Sequence, residues 1–269
     1  MPPPETQVVV PNTGEHPRNG EGDIVQLKNG NLLLGYGRWD KEGSDFGRAE
    51  IWSRTSHDAG KTWGEDRVLV PNEGKLTTFE VGFLCLQSGS ILMCYCVKDS
   101  SEDCSICFRR SADEGRTWGE RIRYQIPAPY TAYTAINNDR LVQLQSGRIL
   151  LAAYDGWVRG TPIVSFVLWS DDDGKTWQKS SDVDIRTLAP QNRNGADEPA
   201  VIELTDGRVL MITVHSFSDS ERVTLLRTNR SGRSPGHPMP YRSAAPSSPS
   251  AKMAGTASDR ANAHRTLGG

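Results

Sequence analysis

Three octapeptides in this chain share one pattern: SHDAGKTW at 56–63, SADEGRTW at 111–118 and SDDDGKTW at 170–177. Their glycines, Gly60, Gly115 and Gly174, stand 55 and 59 residues apart. A second signal interleaves with the first. Four segments read as apolar strand, tight turn, apolar strand: IVQLKNGNLLLGY, GFLCLQSGSILMCY, LVQLQSGRILLAAY and AVIELTDGRVLMIT. Their turn glycines, Gly30, Gly89, Gly147 and Gly207, recur at 59, 58 and 60 residues. Two registers with one period define a repeat architecture, in which each unit buries its faces against its neighbours. Asn-Gly, Ser-Gly and Asp-Gly suit hairpins because glycine takes positive φ without steric cost.

Each full period adds a strand before the octapeptide (AEIWSRTS, CSICFRRS, VSFVLWS), and the first two add another after it (RVLVP, RIRYQIP). Four antiparallel strands per unit make a blade of a β-propeller. The expected fold is therefore all-β, a partial propeller of about four four-stranded blades. Within each octapeptide the Ser and Asp side chains can bond turn amides, the glycine permits the reversal, and the tryptophan packs between sheets. These aspartates are assigned to structure and not to catalysis.

After Leu226 the chain holds one more Leu and no Val, Ile, Phe or Trp. Such a stretch cannot bury enough apolar surface to offset its entropy and is expected to be disordered. The domain reading is an N-terminal extension over 1–15, a partial propeller over 16–226 and a low-complexity tail over 227–269. No fourth octapeptide follows near residue 234, where the period places one. Three and a half blades leave sheet edges open. The expectation is a truncated or frameshifted product, or a ring completed by another chain, with self-association through the open edges.

A net charge of −2 gives no basic footprint for nucleic acid. No apolar run approaches the roughly 18 residues that cross a bilayer, and the N-terminus lacks a basic start followed by an apolar core. A cytoplasmic chain without a membrane partner is expected. Cys85, Cys94, Cys96, Cys104 and Cys107 lie close together, and Cys104-x-x-Cys107 raises the question of a metal. No histidine lies near and the spacing matches no zinc framework. They are read as reduced core thiols on two adjacent strands and a loop, with no metal and no cofactor.

Nine residues before each turn glycine stand Glu21, Glu80, Asn138 and Glu198. If the strands that follow are innermost in their blades, these groups ring the mouth of a central channel. The alternative is a solvated loop before each strand. Asp103, Asn138, Asp139 and Arg140 are further polar loop groups on the same side.

Boxes of this type, spaced by strand-turn-strand units, resemble the Asp boxes of the sialidase superfamily, whose propeller has six blades. The likeness covers roughly residues 16–215. It implies a retaining glycoside hydrolase acting on a terminal acidic sugar. Three arginines would hold the substrate carboxylate, an aspartate would be the acid/base, and a glutamate would assist a tyrosine nucleophile. A planar guanidinium suits a carboxylate, and a tyrosine avoids the repulsion that a carboxylate nucleophile meets beside an anionic sugar.

Carried onto this chain, the resemblance points to Arg18 in HPRNGEGD, although the family's Arg-Ile-Pro is absent. It points to Arg38 and Asp45 in GRWDKEGSDFGRAEI, with Asp40 as the alternative acid, and to Glu198 in DEPAVIEL. Glu21, Asp23, Asn138 and Arg140 complete the expected substrate-binding set. Plainer readings exist: surface charges for the arginines, a turn residue for Asp45, a strand cap for Glu198. Met211–His215 stands where the second arginine belongs and contains none. The third arginine and the tyrosine belong to later blades, and Tyr130 and Tyr133 do not match the nucleophile position. The expectation is a sialidase-like hydrolase, inactive or impaired in this form, with a non-catalytic carbohydrate- or protein-binding propeller as the alternative.

Overall fold

The four turn glycines produce the same hairpin. Gly30, Gly89, Gly147 and Gly207 take φ of 77–89°. Each donates its N–H to the carbonyl three residues back, on Leu27, Leu86, Leu144 and Leu204, at 2.8–2.9 Å. In this computed structural model, which describes residues 6–41, 43–126, 134–156, 163–184, 195–217 and 220–227, every regular element is a β-strand.

The first sheet runs β1 (Arg18–Gln26), β2 (Leu32–Trp39), β3 (Ala49–Ser56) and β4 (Arg67–Val70), each antiparallel to the next. The second repeats the order with β5 (Thr77–Cys85), β6 (Ile91–Ser100), β7 (Asp103–Ser111) and β8 (Ile122–Gln125). The third differs by one short strand. β9 (Thr134–Ala135) pairs with β11 (Ile149–Asp155) beside the regular order of β10 (Leu141–Gln143), β11, β12 (Val164–Ser170) and β13 (Gln178–Lys179). The fourth has three strands among the described residues: β14 (Asp197–Glu203), β15 (Val209–Phe217) and β16 (Ser220–Arg227).

Successive sheets stack face to face, so a strand inside a sheet is apolar on both sides. Ile91–Lys98 of β6 is buried at every position. Val25, Leu33, Ile51 and Val70 of the first sheet pack on Val81, Phe83, Met93 and Tyr95 of the second. Leu92, Cys94, Ile106 and Phe108 of the second meet Leu141, Leu151, Phe166 and Trp177 of the third. Leu144, Leu150 and Ala152 meet Val201, Val209 and Met211 of the fourth. These blades form an all-β partial propeller.

The three boxes fold alike. Ser56, Ser111 and Ser170 accept the N–H of Gly60, Gly115 and Gly174 at 2.8–2.9 Å. Asp58, Asp113 and Asp172 each accept a threonine N–H at 2.8–2.9 Å and the same threonine's hydroxyl at 2.6 Å. Those bonds hold all three carboxyls down at about 2, against a desolvation penalty that is largest at Asp172. Trp177 stacks on Phe108 of the preceding sheet, with centroids 4.0 Å apart and planes 10° from parallel. The aspartates serve the turn and the tryptophan serves the joint between blades.

The thiols need one correction. Cys94 and Cys96 lie on β6, Cys104 and Cys107 on β7, and Cys85 ends β5, so none occupies a loop. The first four are buried, Cys85 is exposed, and all five are unbridged.

Candidate functional site

The end of the sheets opposite the boxes carries the polar residues that the repeat singled out. β1, β5 and β14 are each one residue longer than the strand they pair with, between Gly20 and Asp23, Phe79 and Val81, and Asp197 and Ala200. Glu21 (φ 51°), Glu80 (φ 52°) and Glu198 (φ 45°) sit at these bulges in a left-handed conformation that non-glycine residues seldom adopt. Gly22 is required beside the first, because a Cβ there would lie 2.5 Å from the Gly35 carbonyl oxygen. In the third blade the same place is widened. Residues 136–140 bridge β9 and β10, and Asn137 and Asp139 take φ of 50° and 52° on either side of Asn138.

Arg18 opens β1 opposite Trp39 of β2, and its guanidinium lies 4.1 Å from the Trp39 ring centroid. It donates to Asp45 Oδ1 at 2.6 Å, Glu21 Oε1 at 2.7 Å and the Gly43 carbonyl at 3.2 Å. Burial works against its charge, but the bonds to Asp45 and Glu21 outweigh that and raise its pKa. Arg18, Glu21 and Asp45, three residues singled out in the sequence, therefore share one cluster. Asp40 stands apart, with its backbone N–H on the Arg48 carbonyl at 2.9 Å and its carboxylate 3.6 Å from His16 Nδ1.

Asp23 acts as a staple between blades. It accepts the Phe83 N–H of β5 at 2.7 Å and the Ile24 N–H at 2.7 Å, while burial pushes its carboxyl up to about 6. Arg38 is held elsewhere. Arg18 faces Trp39 across the ladder, and successive strand residues alternate sides, so Arg38 projects from the opposite face. There it donates to Asp66 Oδ2 at 2.6 Å, Tyr36 Oη at 3.0 Å and Asn19 Oδ1 at 3.2 Å, and it lies 4.4 Å from the Trp52 centroid. The N-terminal extension crosses that face, where Arg54 donates to the Val9 carbonyl at 2.8 Å and Asn19 to the Pro11 carbonyl at 3.2 Å.

Arg140 turns back on its own loop, donating to the Asn138 carbonyl at 2.8 Å. Asn138 Oδ1 and Arg140 Nε are buried atoms without a hydrogen-bond partner among the described residues. Asp103 accepts from Gln125 at 3.3 Å at the edge of the second sheet. Glu198 is exposed, and its backbone N–H donates to Asp197 Oδ1 at 2.9 Å. Tyr130, Tyr133 and the tail from 228 lie outside the described residues.

The boxes, the bulged first strands and the stacked four-stranded sheets agree with one family. The chain matches the BNR repeat-like domain over residues 30–263. It belongs to that family.

The BNR repeat-like chain also shares its fold with sialidases. It is similar to a Trypanosoma rangeli sialidase (TM-score 0.61, 15% identity) over 79% of this chain and 36% of the other. A Ruminococcus gnavus intramolecular trans-sialidase gives a TM-score of 0.64 at 11% identity, over 85% and 71% of the two chains. A Dyadobacter fermentans protein of unknown function gives 0.65 at 20% identity, over 82% and 68%. The described blades thus correspond to about a third of the Trypanosoma chain's length. No curated protein matches the chain in sequence.

Two residues of this BNR repeat-like site escaped the sequence reading. Phe46, next to Asp45, reaches across to the second blade, and its ring centroid lies 4.5 Å from Lys98 Nζ. Lys98 is fully buried near the end of β6. The one available signal was a lysine closing an otherwise apolar run, ILMCYCVK, nine residues past its turn glycine. Trp39 stands at that offset in the first blade.

Proposed function

We propose that this chain provides part of a sialidase-like glycoside hydrolase site for a terminal acidic sugar, with Arg18 receiving the sugar carboxylate and Asp45 as acid/base. One observation carries the reading: the guanidinium suited to the substrate anion is bonded at 2.6 Å to the carboxyl suited to proton transfer. A substrate carboxylate and Asp45 compete for the same cation. A sugar that takes Arg18 releases Asp45 from its ion pair, at the moment the glycosidic oxygen needs a proton. The pair is partly exposed, so the exchange costs little.

Glu198, on the exposed bulge of β14, is assigned to support the nucleophile of a retaining reaction. The folds of solved sialidases and a trans-sialidase, reached at 11–15% identity, support the carbohydrate reading. A non-catalytic sugar-binding propeller is the second reading. It is favoured by Met211–His215, where β15 offers no arginine. Fluorogenic sialoside turnover separates the two. The enzyme reading expects slow release of the fluorophore that Asp45→Asn abolishes while sugar binding persists. Binding with no turnover, both in the unaltered chain and in a version supplied with the later blades that carry the family's tyrosine, would leave the second reading.

A further inference from the structure

Lys98 stands behind the Arg18 cluster and belongs to no repeated structural device, and Glu80, at the bulge of the strand paired with it, departs from the other two bulge glutamates in being buried. Glu80 occupies the bulge of β5 at a positive φ and is 4% exposed. Its Oε2 accepts the Ile136 N–H of the third blade at 2.8 Å. Glu21 and Lys98 are among the charges that act on it, the first raising and the second lowering its pKa, while burial, the largest influence, pushes it up to about 7. Lys98 is fully buried between the rings of Phe46 and Phe79, at 4.5 and 5.4 Å. Burial lowers its pKa, and Glu80 and Asp45 are among the groups that oppose this. The loop that brings Asp45 to Arg18 therefore also brings Phe46 over Lys98.

A strand interior is a poor place for a lysine, and burying an ammonium is costly even beside a carboxylate. A tryptophan fills the matching position of the first blade. The ring over Lys98 is that of Phe46, half-exposed on a segment bounded by Gly43 and Gly47, and recognition of a ligand by the ammonium requires that ring to turn aside. From this placement we infer that Lys98 is a specificity-determining residue of the site, a second cation that recognises the carboxylate of an acidic sugar. The inference rests on the acidic-sugar reading above. It supplies a cation from the second blade where β15 supplies no arginine.

The test titrates the whole chain with N-acetylneuraminic acid, its methyl ester, glucuronate and galacturonate, for the unaltered protein, Lys98→Met and Lys98→Arg. Methionine keeps the length and apolar stem of the lysine, and thermal unfolding checks that each variant is folded. The expected result is a loss of about tenfold or more for the acid in Lys98→Met, less than about twofold for the ester, and substantial retention in Lys98→Arg. Equal losses for acid and ester, or none for either, would overturn the role of Lys98 and leave the acidic-sugar reading standing. A uronate bound in place of N-acetylneuraminate, and weakened by Lys98→Met, would overturn the sialoside reading and keep Lys98. No acidic sugar bound by the unaltered chain would overturn both. If Lys98→Met does not fold, the acid-to-ester affinity ratio of Lys98→Arg decides, and a ratio equal to that of the unaltered chain with both affinities reduced counts against the inference.

Discussion

The box rim and the bulge rim are built by the same units but repeat in different ways. At the boxes the residues themselves recur. Ser, Asp, Gly and Thr make the same bonds three times, within 0.1 Å for the Ser-to-Gly and Asp-to-Thr contacts, and the tryptophan N–H reaches its glycine carbonyl at 3.1 Å in the first and third boxes. At the bulges only the place recurs. One glutamate binds an arginine, one is buried and accepts a backbone N–H of the next blade, one is exposed, and the third blade substitutes a five-residue excursion. Identical chemistry in every unit is what a joint needs, because every joint has the same task. A binding site needs a different group from each wall. Positive φ at non-glycine residues is common to both rims, at Ala59, Glu114 and Asp173 in the boxes and at Glu21, Glu80 and Glu198 in the bulges, so the contrast lies in the side-chain partners and not in the backbone.

The sharpest way to break this contrast is to strike the box rim and read the proposed sugar site. Trp177→Ala removes the ring stacked on Phe108 and leaves a cavity between the second and third blades. The expected loss is about 3–5 kcal/mol of stability by denaturant unfolding, with acidic-sugar affinity unchanged below the midpoint. A large loss of affinity without loss of stability would mean that the boxes belong to the site. A smaller effect is expected at Arg38. Arg38→Met should cost about 1 kcal/mol through its Asp66 pair and its contact with Trp52, with less than about a twofold change in sugar affinity. A selective loss of affinity there would place the substrate on the other face of the first blade.

The smallest effect is a difference in pH dependence. The box aspartates titrate near 2 when folded, below their unfolded value, so their contribution is present above about pH 4 and lost as pH falls towards 2. Glu80 and Asp23 run the other way. Raised to about 7 and 6, they contribute most below pH 4, and that contribution is lost as pH rises through those values. Glu80→Gln should flatten stability between pH 4 and 7 and leave the acid limb alone, whereas Asp172→Asn should flatten only the acid limb. Chemical denaturation across pH reads both, and a Glu80→Gln curve parallel to the unaltered protein would remove the contrast.

The sequence reading reached the architecture because the joints repeat. The box and turn-glycine spacings located the strands of the first two blades and the hairpins of all four. Counting back from the turns reached the glutamates of three bulges, since each bulge adds its single residue at the same offset. It reached Asn138 only nominally, because the third blade replaces the bulge with residues 136–140. The family resemblance singled out Arg18 and Asp45, and the fold brings the two side chains together. Arg38 was placed with them by the same resemblance, but strand alternation sends it to the opposite face, where Asp66 and Trp52 hold it. Lys98 was hidden because its recognition depends on a contact from the Phe46 loop of another blade, which no spacing encodes.

The central claim is that the bulge rim around Arg18 is an acidic-sugar site while the boxes only join blades. Its most direct test is an isothermal titration of N-acetylneuraminic acid and its methyl ester into the unaltered chain and Arg18→Met. The account predicts that Arg18→Met stays folded and loses about 30-fold in affinity for the acid, about 2 kcal/mol, with little change for the ester. Equal binding of the acid by both proteins would contradict it.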